Sequence, residues 1–134
     1  MKQKISLIMV AFVFVMFFSM FSAVAVQGAQ TYIGYLADIL CVDSGTAADG
    51  ANMAMNPQDH TVMCALMKPC IKSGYTLLVK NPSGGFDSLP LNKKGNKLAV
   101  KYLKNTDKTD NIYVTITGTM MDNMIQVDGI TDAQ

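Results

Sequence analysis

Residues 59–70, with the sequence DHTVMCALMKPC, contain the single histidine of the chain and two of its three cysteines. The histidine, His60, and Cys64 are four positions apart, a spacing that places two side chains on one face of a helix. Cys70 follows a proline and can fold back toward them, while the third cysteine, Cys41, ends the first predicted strand. We therefore expect these four side chains to meet at one rim of the fold.

Three thiolates and one imidazole form a complete tetrahedral ligand set for zinc. The spacing is unusual, because zinc modules tend to use close CxxC pairs and this chain has none. Copper is the second candidate metal, since thioether and thiolate sulfurs are soft donors that suit Cu(I). Met53 and Met55, in a polar loop, are candidate soft ligands, whereas Met63 and Met67 are better explained by packing of a helix on the sheet.

A disulfide is the competing interpretation of the same cysteines. A bond from Cys41 to Cys64 or Cys70 would close a loop of about 23 to 30 residues and stabilise the domain by about 3 kcal/mol. One thiol would remain for a metal or a partner. The protein would then be a stapled interaction module whose rim binds a peptide, a glycan or an envelope protein.

Thiol-based redox or nucleophilic chemistry is the third interpretation. His60 could lower the pKa of the Cys64 thiol, and Asp38, Asp43 or Asp59 could orient the imidazole. Against an enzyme, the chain has no CxxC pair, and no oxyanion hole is evident around a cysteine in mid-helix. Asp38 also has a purely structural interpretation, as an acceptor for backbone N–H groups where the strand ends. The sequence thus favours binding over catalysis.

The N-terminal residues 1–29 are typical of a secretory signal peptide. Two lysines precede an apolar run without charge, and a small-residue stretch follows, so cleavage after Ala25, Gly28 or Ala29 is expected. The alternative is an uncleaved membrane anchor, because about 18 apolar residues can span a bilayer. We expect a periplasmic or secreted protein, which is a compartment where disulfides persist.

The composition of residues 30–134 disfavours nucleic acid as a partner. This part of the chain has nine lysines, ten aspartates and no arginine, so it is nearly neutral. It lacks the positive charge needed to neutralise a row of phosphates.

The pattern of residues 30–134 predicts one mainly β domain with short helices. Strands are expected over 31–37, 75–80, 86–89, 111–121 and 124–130, with a turn at Asp122-Asn123. Helices are expected from Pro57 to about Met67 and after a cap at Asn96, and a long insertion spans 38–74. The order is β, insertion with helix, β, β, α, β, β, which is typical of an OB-fold-like five-stranded barrel.

Six segments carry a resemblance to a known group of proteins: GYLADILC (34–41), DHTVMC (59–64), PC (69–70), SGY (73–75), VTITGT (114–119) and the final IxVxGI (125–130). With these motifs the chain resembles small exported bacterial proteins that have no established activity. The resemblance implies an exported, compact β domain with a cysteine-bearing insertion. The function predicted from the residues is metal binding (zinc or copper) through Cys41, His60, Cys64 and Cys70.

Overall fold

The computed structural model describes residues 28–134, so nearly all of the predicted signal peptide lies outside the described residues. One five-stranded antiparallel sheet dominates this part of the chain, with strand order β3-β2-β1-β4-β5. The predicted mainly β domain with short helices is confirmed. The strands are β1 (Gln30–Asp38), β2 (Tyr75–Lys80), β3 (Phe86–Pro90), β4 (Tyr113–Met121) and β5 (Met124–Asp132).

The sheet is not the closed barrel that the sequence predicted. Within residues 28–134, β3 and β5 stay at opposite edges of the strand order, and a single parallel bridge joins Leu91 to Ile125. Strand β3 ends at Pro90, which has no N–H to donate to a ladder. Asn92 then caps a helix at once, so the chain leaves the edge before a second ladder can extend.

Within residues 28–134, four α-helices accompany the sheet: α1 (Ile39–Ser44), α2 (Val62–Ala65), α3 (Lys68–Ser73) and α4 (Lys93–Asn105). The predicted cap of α4 was wrong by one turn. Asn92 accepts the Gly95 N–H at 2.8 Å, while Asn96 accepts the Tyr75 N–H and so ties α4 to β2. Of the helices in this part of the chain, none is long and apolar enough to cross a membrane.

The helix predicted from Pro57 to Met67 is not continuous. A 3-10 turn, Pro57–Asp59, is followed by His60 in an extended conformation and then by Thr61, which caps α2 by accepting the Cys64 N–H. The Thr61 N–H itself is bonded to a carboxylate, that of Asp49, rather than to a helical carbonyl. His60 and Cys64 therefore do not share one helix, although they were predicted to.

The buried side chains form two clusters on opposite faces of the sheet. Leu36 and Leu77 belong to the main core between the sheet and α4, whereas their neighbours Ala37 and Leu78 belong to the second cluster. Alternation along a strand places adjacent residues on opposite faces. The second cluster is supplied mostly by the insertion and contains all three cysteines with Met53. The insertion therefore builds a small core of its own over one end of β1 and β2.

Candidate metal centre

Asp38 lies where β1 ends and α1 begins, and it is fully buried. One carboxylate oxygen, Oδ1, accepts the Cys41 N–H at 3.0 Å and so caps α1. The other oxygen, Oδ2, faces Nε2 of His60 at 3.0 Å. The predicted structural role of Asp38 and its predicted contact with the imidazole are therefore both confirmed.

His60 lies between two carboxylates. Its Nε2 faces Asp38, and its Nδ1 lies 3.1 Å from Oδ2 of Asp49, while the imidazole is 1% exposed. Neither carboxylate can donate a proton when ionised, so both ring nitrogens must carry one. The arrangement therefore holds His60 as an imidazolium with a charge-assisted bond on each side.

Asp49 is a residue of the candidate site that the sequence analysis missed. Its Oδ2 accepts the Thr61 N–H at 2.7 Å and the Thr61 hydroxyl at 2.9 Å, besides facing His60. Its Oδ1 accepts the Ala51 N–H in a tight turn. An Asp followed by Gly predicts such a turn, but nothing local shows that the second oxygen reaches a histidine eleven residues later. The side chain is 14% exposed, since mainly the backbone of this turn faces solvent.

The two carboxylates and the imidazole shift each other's pKa values. Burial raises the pKa of Asp38, but hydrogen bonds from His60, the Cys41 N–H and the Cys41 and Cys70 thiols outweigh it and hold that pKa below its ordinary value. Burial also opposes ionisation of Asp49, yet its backbone and hydroxyl donors lower the pKa to about 2. Burial lowers the pKa of His60, whereas Asp38 and Asp49 raise it by more.

All three cysteines lie around this charged group, and each is buried. Cys41, His60 and Cys64 each offer one potential ligand atom, and these three atoms lie within 4.8 Å of one another. The same is true of one ligand atom each from Asp38, Cys41 and Cys70. Cys41 is common to both sets. The four residues predicted as metal ligands therefore do gather at one end of the sheet, with Asp38 among them.

The thiols of Cys41 and Cys70 keep their protons at neutral pH. Burial, reinforced by hydrogen bonding to Asp38 and by its negative charge, raises the pKa of Cys41. Burial and the same charge raise the pKa of Cys70 to about 11. A thiol that stays protonated is a poor nucleophile, so Cys41 and Cys70 are not activated as nucleophiles at neutral pH. A metal ion that binds here must displace these protons.

A surface hollow of about 370 Å³ leads to the cysteines. Cys41 and Cys70 line it, together with Leu40, Met67 and Pro69. The lining is mostly apolar, so the hollow gives small molecules or ions a path to otherwise buried sulfur atoms.

The structure also tests the predicted methionine ligands, the predicted role of Asp59 and the predicted disulfide. Met53 is buried in the cysteine-containing cluster, but Met55 is 72% exposed and lines a separate hollow with Tyr35 and Phe86. Asp59 is exposed, and the carboxylates that hold His60 belong to Asp38 and Asp49. All three cysteines are free, so the predicted disulfide staple is not formed.

Comparison of the chain with protein family models, with characterised proteins and with solved structures finds no match. The resemblance to small exported bacterial proteins therefore stays a prediction. The function has to be argued from the site itself.

Proposed function

We propose that this protein binds one Zn²⁺ ion through the thiolates of Cys41, Cys64 and Cys70 and one ring nitrogen of His60. The observation that carries the proposal is the sharing of Cys41 by two sets of ligand atoms, each set lying within 4.8 Å. Donors 2.0–2.3 Å from a tetrahedral zinc ion lie roughly 3.3–3.8 Å apart. A contraction of about 1 Å within the set of Cys41, His60 and Cys64, together with a rotation of the Cys70 side chain toward that set, would bring the four donors around one ion.

The surroundings of His60 support its role as a ligand. Metal-bound histidines commonly donate the other ring N–H to a carboxylate, which fixes the orientation of the imidazole. Asp49 occupies that position at Nδ1, and Nε2 points to the side of Asp38, whose carboxylate accepts bonds from both Cys41 and Cys70. Zinc would replace the proton on Nε2, and Asp49 would keep the imidazole in place.

Zinc is favoured over copper by the type of donors that converge. An imidazole and a buried carboxylate accompany the thiols, and this mixed set suits the borderline-soft Zn²⁺ ion. Of the two candidate thioethers, Met55 is exposed away from the cysteines, whereas Met53 packs among them. Of the two thioethers predicted as soft ligands, Cu(I) could therefore use Met53 but not Met55.

The test is zinc titration of metal-free, reduced protein, followed by elemental analysis after dialysis. We expect one zinc per chain in the wild type and in Met55→Leu, an exposed methionine variant that serves as the matched control. Cys41→Ser should abolish retention, because Cys41 belongs to both sets of ligand atoms. Retention of zinc by Cys41→Ser, or preferential binding of Cu(I) by the wild type, would overturn the proposal.

We further propose that the protein works outside the cytoplasm, on an OB-type scaffold. The support is the apolar N-terminal run in the sequence, and a strand order in which β3 and β5 are linked by one parallel bridge. A partly open Greek-key barrel is a known form of that fold. N-terminal sequencing of the protein recovered from cell fractions tests the location, and a start near residue 26 or 30 in the exported fraction is expected.

A binding module for a peptide or glycan partner is the second candidate function. It is favoured by a hollow of about 430 Å³ lined by Tyr35, Phe86 and Tyr113, with Gln58 from the insertion at its edge. The Tyr35 ring lies 5.8 Å from that of Phe86 and 4.8 Å from that of Tyr113. Such aromatic surfaces pack well against sugar rings and side chains. Loss of partner capture by Tyr113→Ala, with zinc binding unchanged, would support this function.

A further inference from the structure

Cys41 is placed to form a disulfide as well as a metal bond. Its Sγ lies within 4.8 Å of the Sγ atoms of both Cys64 and Cys70. A disulfide requires about 2.05 Å between sulfurs, and a change of χ1 rotamer moves a Sγ atom by about 3 Å. Either pair is therefore within reach of a bond without unfolding the insertion.

Access and backbone support favour the pair Cys41 and Cys70. Both line the hollow of about 370 Å³, whereas Cys64 is not among the residues that line it. Cys41 lies on α1 and Cys70 on α3, and two hydrogen bonds fasten these helices at their ends. The Ile39 N–H donates to the Gly74 carbonyl at 2.9 Å, and the Leu40 N–H donates to the Ser73 hydroxyl at 3.1 Å.

We infer that Cys41 and Cys70 form a dithiol site that small-molecule disulfides oxidise to an intramolecular disulfide, and that this oxidised state and the zinc-bound state exclude one another. The exclusion rests on the proposed function, because zinc needs the thiolates that the disulfide consumes. Formation of the disulfide does not depend on zinc. Cys64 and His60 keep their places in the oxidised state.

The reaction is a thiol–disulfide exchange in two steps. The minor thiolate form of one cysteine, whose fraction grows as the pH rises, attacks a sulfur of the small disulfide RSSR, forms a mixed disulfide and releases one RSH. The second cysteine then attacks the protein sulfur of the mixed disulfide, which forms the Cys41–Cys70 bond and releases the second RSH. The two electrons lost by the protein thiols reduce the reagent, and the two protons leave on the released thiols.

The positions of the methionines allow a direct test. Cyanogen bromide cleaves after methionine, and Met53, Met63 and Met67 place the three cysteines in separate fragments. Cys64 falls in fragment 64–67, Cys70 in fragment 68–120, and Cys41 in the fragment that ends at residue 53. Metal-free protein is treated with glutathione disulfide, remaining thiols are blocked with N-ethylmaleimide in denaturant, and the fragments are identified by mass.

We expect fragment 68–120 linked to the fragment ending at residue 53, with Cys64 alkylated. A Met55→Leu control, at an exposed position away from the cysteines, should oxidise at the wild-type rate. A link to fragment 64–67, three alkylated cysteines, or a stable mixed disulfide with glutathione would each overturn the inference.

A second experiment tests whether bound zinc prevents formation of the disulfide. One equivalent of Zn²⁺ should slow oxidation at least about tenfold, because metal-bound thiolates are held away from the reagent. An unchanged rate in protein that has bound zinc would overturn the exclusion. Failure of zinc to bind at all would overturn the proposed function, and the disulfide map of the metal-free protein would still decide whether the dithiol site exists.

Discussion

Nε2 of His60 lies 3.0 Å from Oδ2 of Asp38, and both side chains are buried. The contact joins the end of β1 to a segment 22 residues further along the chain. A buried carboxylate destabilises a fold unless a charge or hydrogen-bond donors compensate it. The pair is therefore structural in the metal-free protein, whatever ligand the site later takes.

Replacement of His60 by alanine should destabilise the metal-free protein by about 3–5 kcal/mol, because Asp38 would be left as a buried carboxylate without its charged partner. Urea unfolding with a chelator and a reductant present measures the loss. The neighbouring Asp59→Asn, at an exposed position, is the matched control and should change the free energy of unfolding by less than about 0.5 kcal/mol.

The double variant His60→Ala with Asp38→Asn distinguishes two causes of destabilisation. One is the unpaired charge on Asp38, and the other is the cavity left by the imidazole. An uncharged amide at position 38 removes the unpaired charge, so the double variant should be more stable than His60→Ala alone. If the two variants are equally stable, the loss in His60→Ala comes from the cavity and not from the charge on Asp38.

The stability of the metal-free protein should depend on pH in two opposite ways. The pKa of His60 is raised on folding, so its stabilisation is complete below its unfolded pKa of about 6.5 and is lost as the pH rises through the higher folded pKa. The pKa values of Asp38 and Asp49 are lowered, so their stabilisation is complete above about pH 4 and is lost as the pH falls through the folded values, about 2 for Asp49.

His60, Asp38 and Asp49 should therefore stabilise the folded protein most between roughly pH 4 and 6.5. Urea unfolding of the wild type and of His60→Ala, from about pH 4 to alkaline pH, measures this contribution as the difference between the two proteins. That difference should shrink above the folded pKa of His60. A difference that grows steadily toward alkaline pH would show that the imidazole is neutral in the folded protein.

Much of this fold could be predicted from local sequence patterns, because strand alternation is local. β2 begins and ends where its apolar residues predict, and the Asp122-Asn123 turn has the positive φ angles, 51° and 58°, expected of such a hairpin. The closed barrel was wrong because closure depends on how β3 and β5 approach, and Pro90 with the Asn92 cap stops that ladder. Strand order and hydrophobic pattern do not contain this information.

The sequence predicted which four candidate ligands lie together, but it did not predict the contacts that arrange them. Cys41, His60, Cys64 and Cys70 were found because rare residue types are concentrated in the insertion. The predicted helical spacing of His60 and Cys64 was wrong, yet the two still meet, because Asp49 holds His60 and Thr61 from another part of the loop. A contact of this kind depends on tertiary structure, so single-sequence reasoning chose Asp59 where the structure uses Asp49.

Substitution of Asp49 by asparagine should weaken zinc binding about 10- to 100-fold, because the imidazole would lose the carboxylate that orients it. Competition with a zinc-responsive chromophoric chelator measures the affinity. Asp43→Asn is the matched control, since Asp43 is an exposed carboxylate of the same insertion. Equal affinities for the two variants would mean that Asp49 only organises the loop.

Substitution of Gly34 by alanine should destabilise the fold by about 1–3 kcal/mol through overpacking. A Cβ at this position would clash with the Leu78 carbonyl oxygen, which belongs to the neighbouring strand. Gly85→Ala is the control, because its Cβ would make only ordinary contacts of 3.7 Å with Asn81. Thermal unfolding of both variants checks the prediction, and a Gly34→Ala protein as stable as the control would contradict this packing.

X-ray absorption at the zinc edge of the reconstituted wild-type protein tests the central claim most directly, because it counts the donor atoms around the metal. The account predicts three sulfur donors at about 2.3 Å and one nitrogen donor at about 2.0 Å. A first coordination shell made only of oxygen and nitrogen donors would contradict it, since the three cysteines would then play no part in binding the ion.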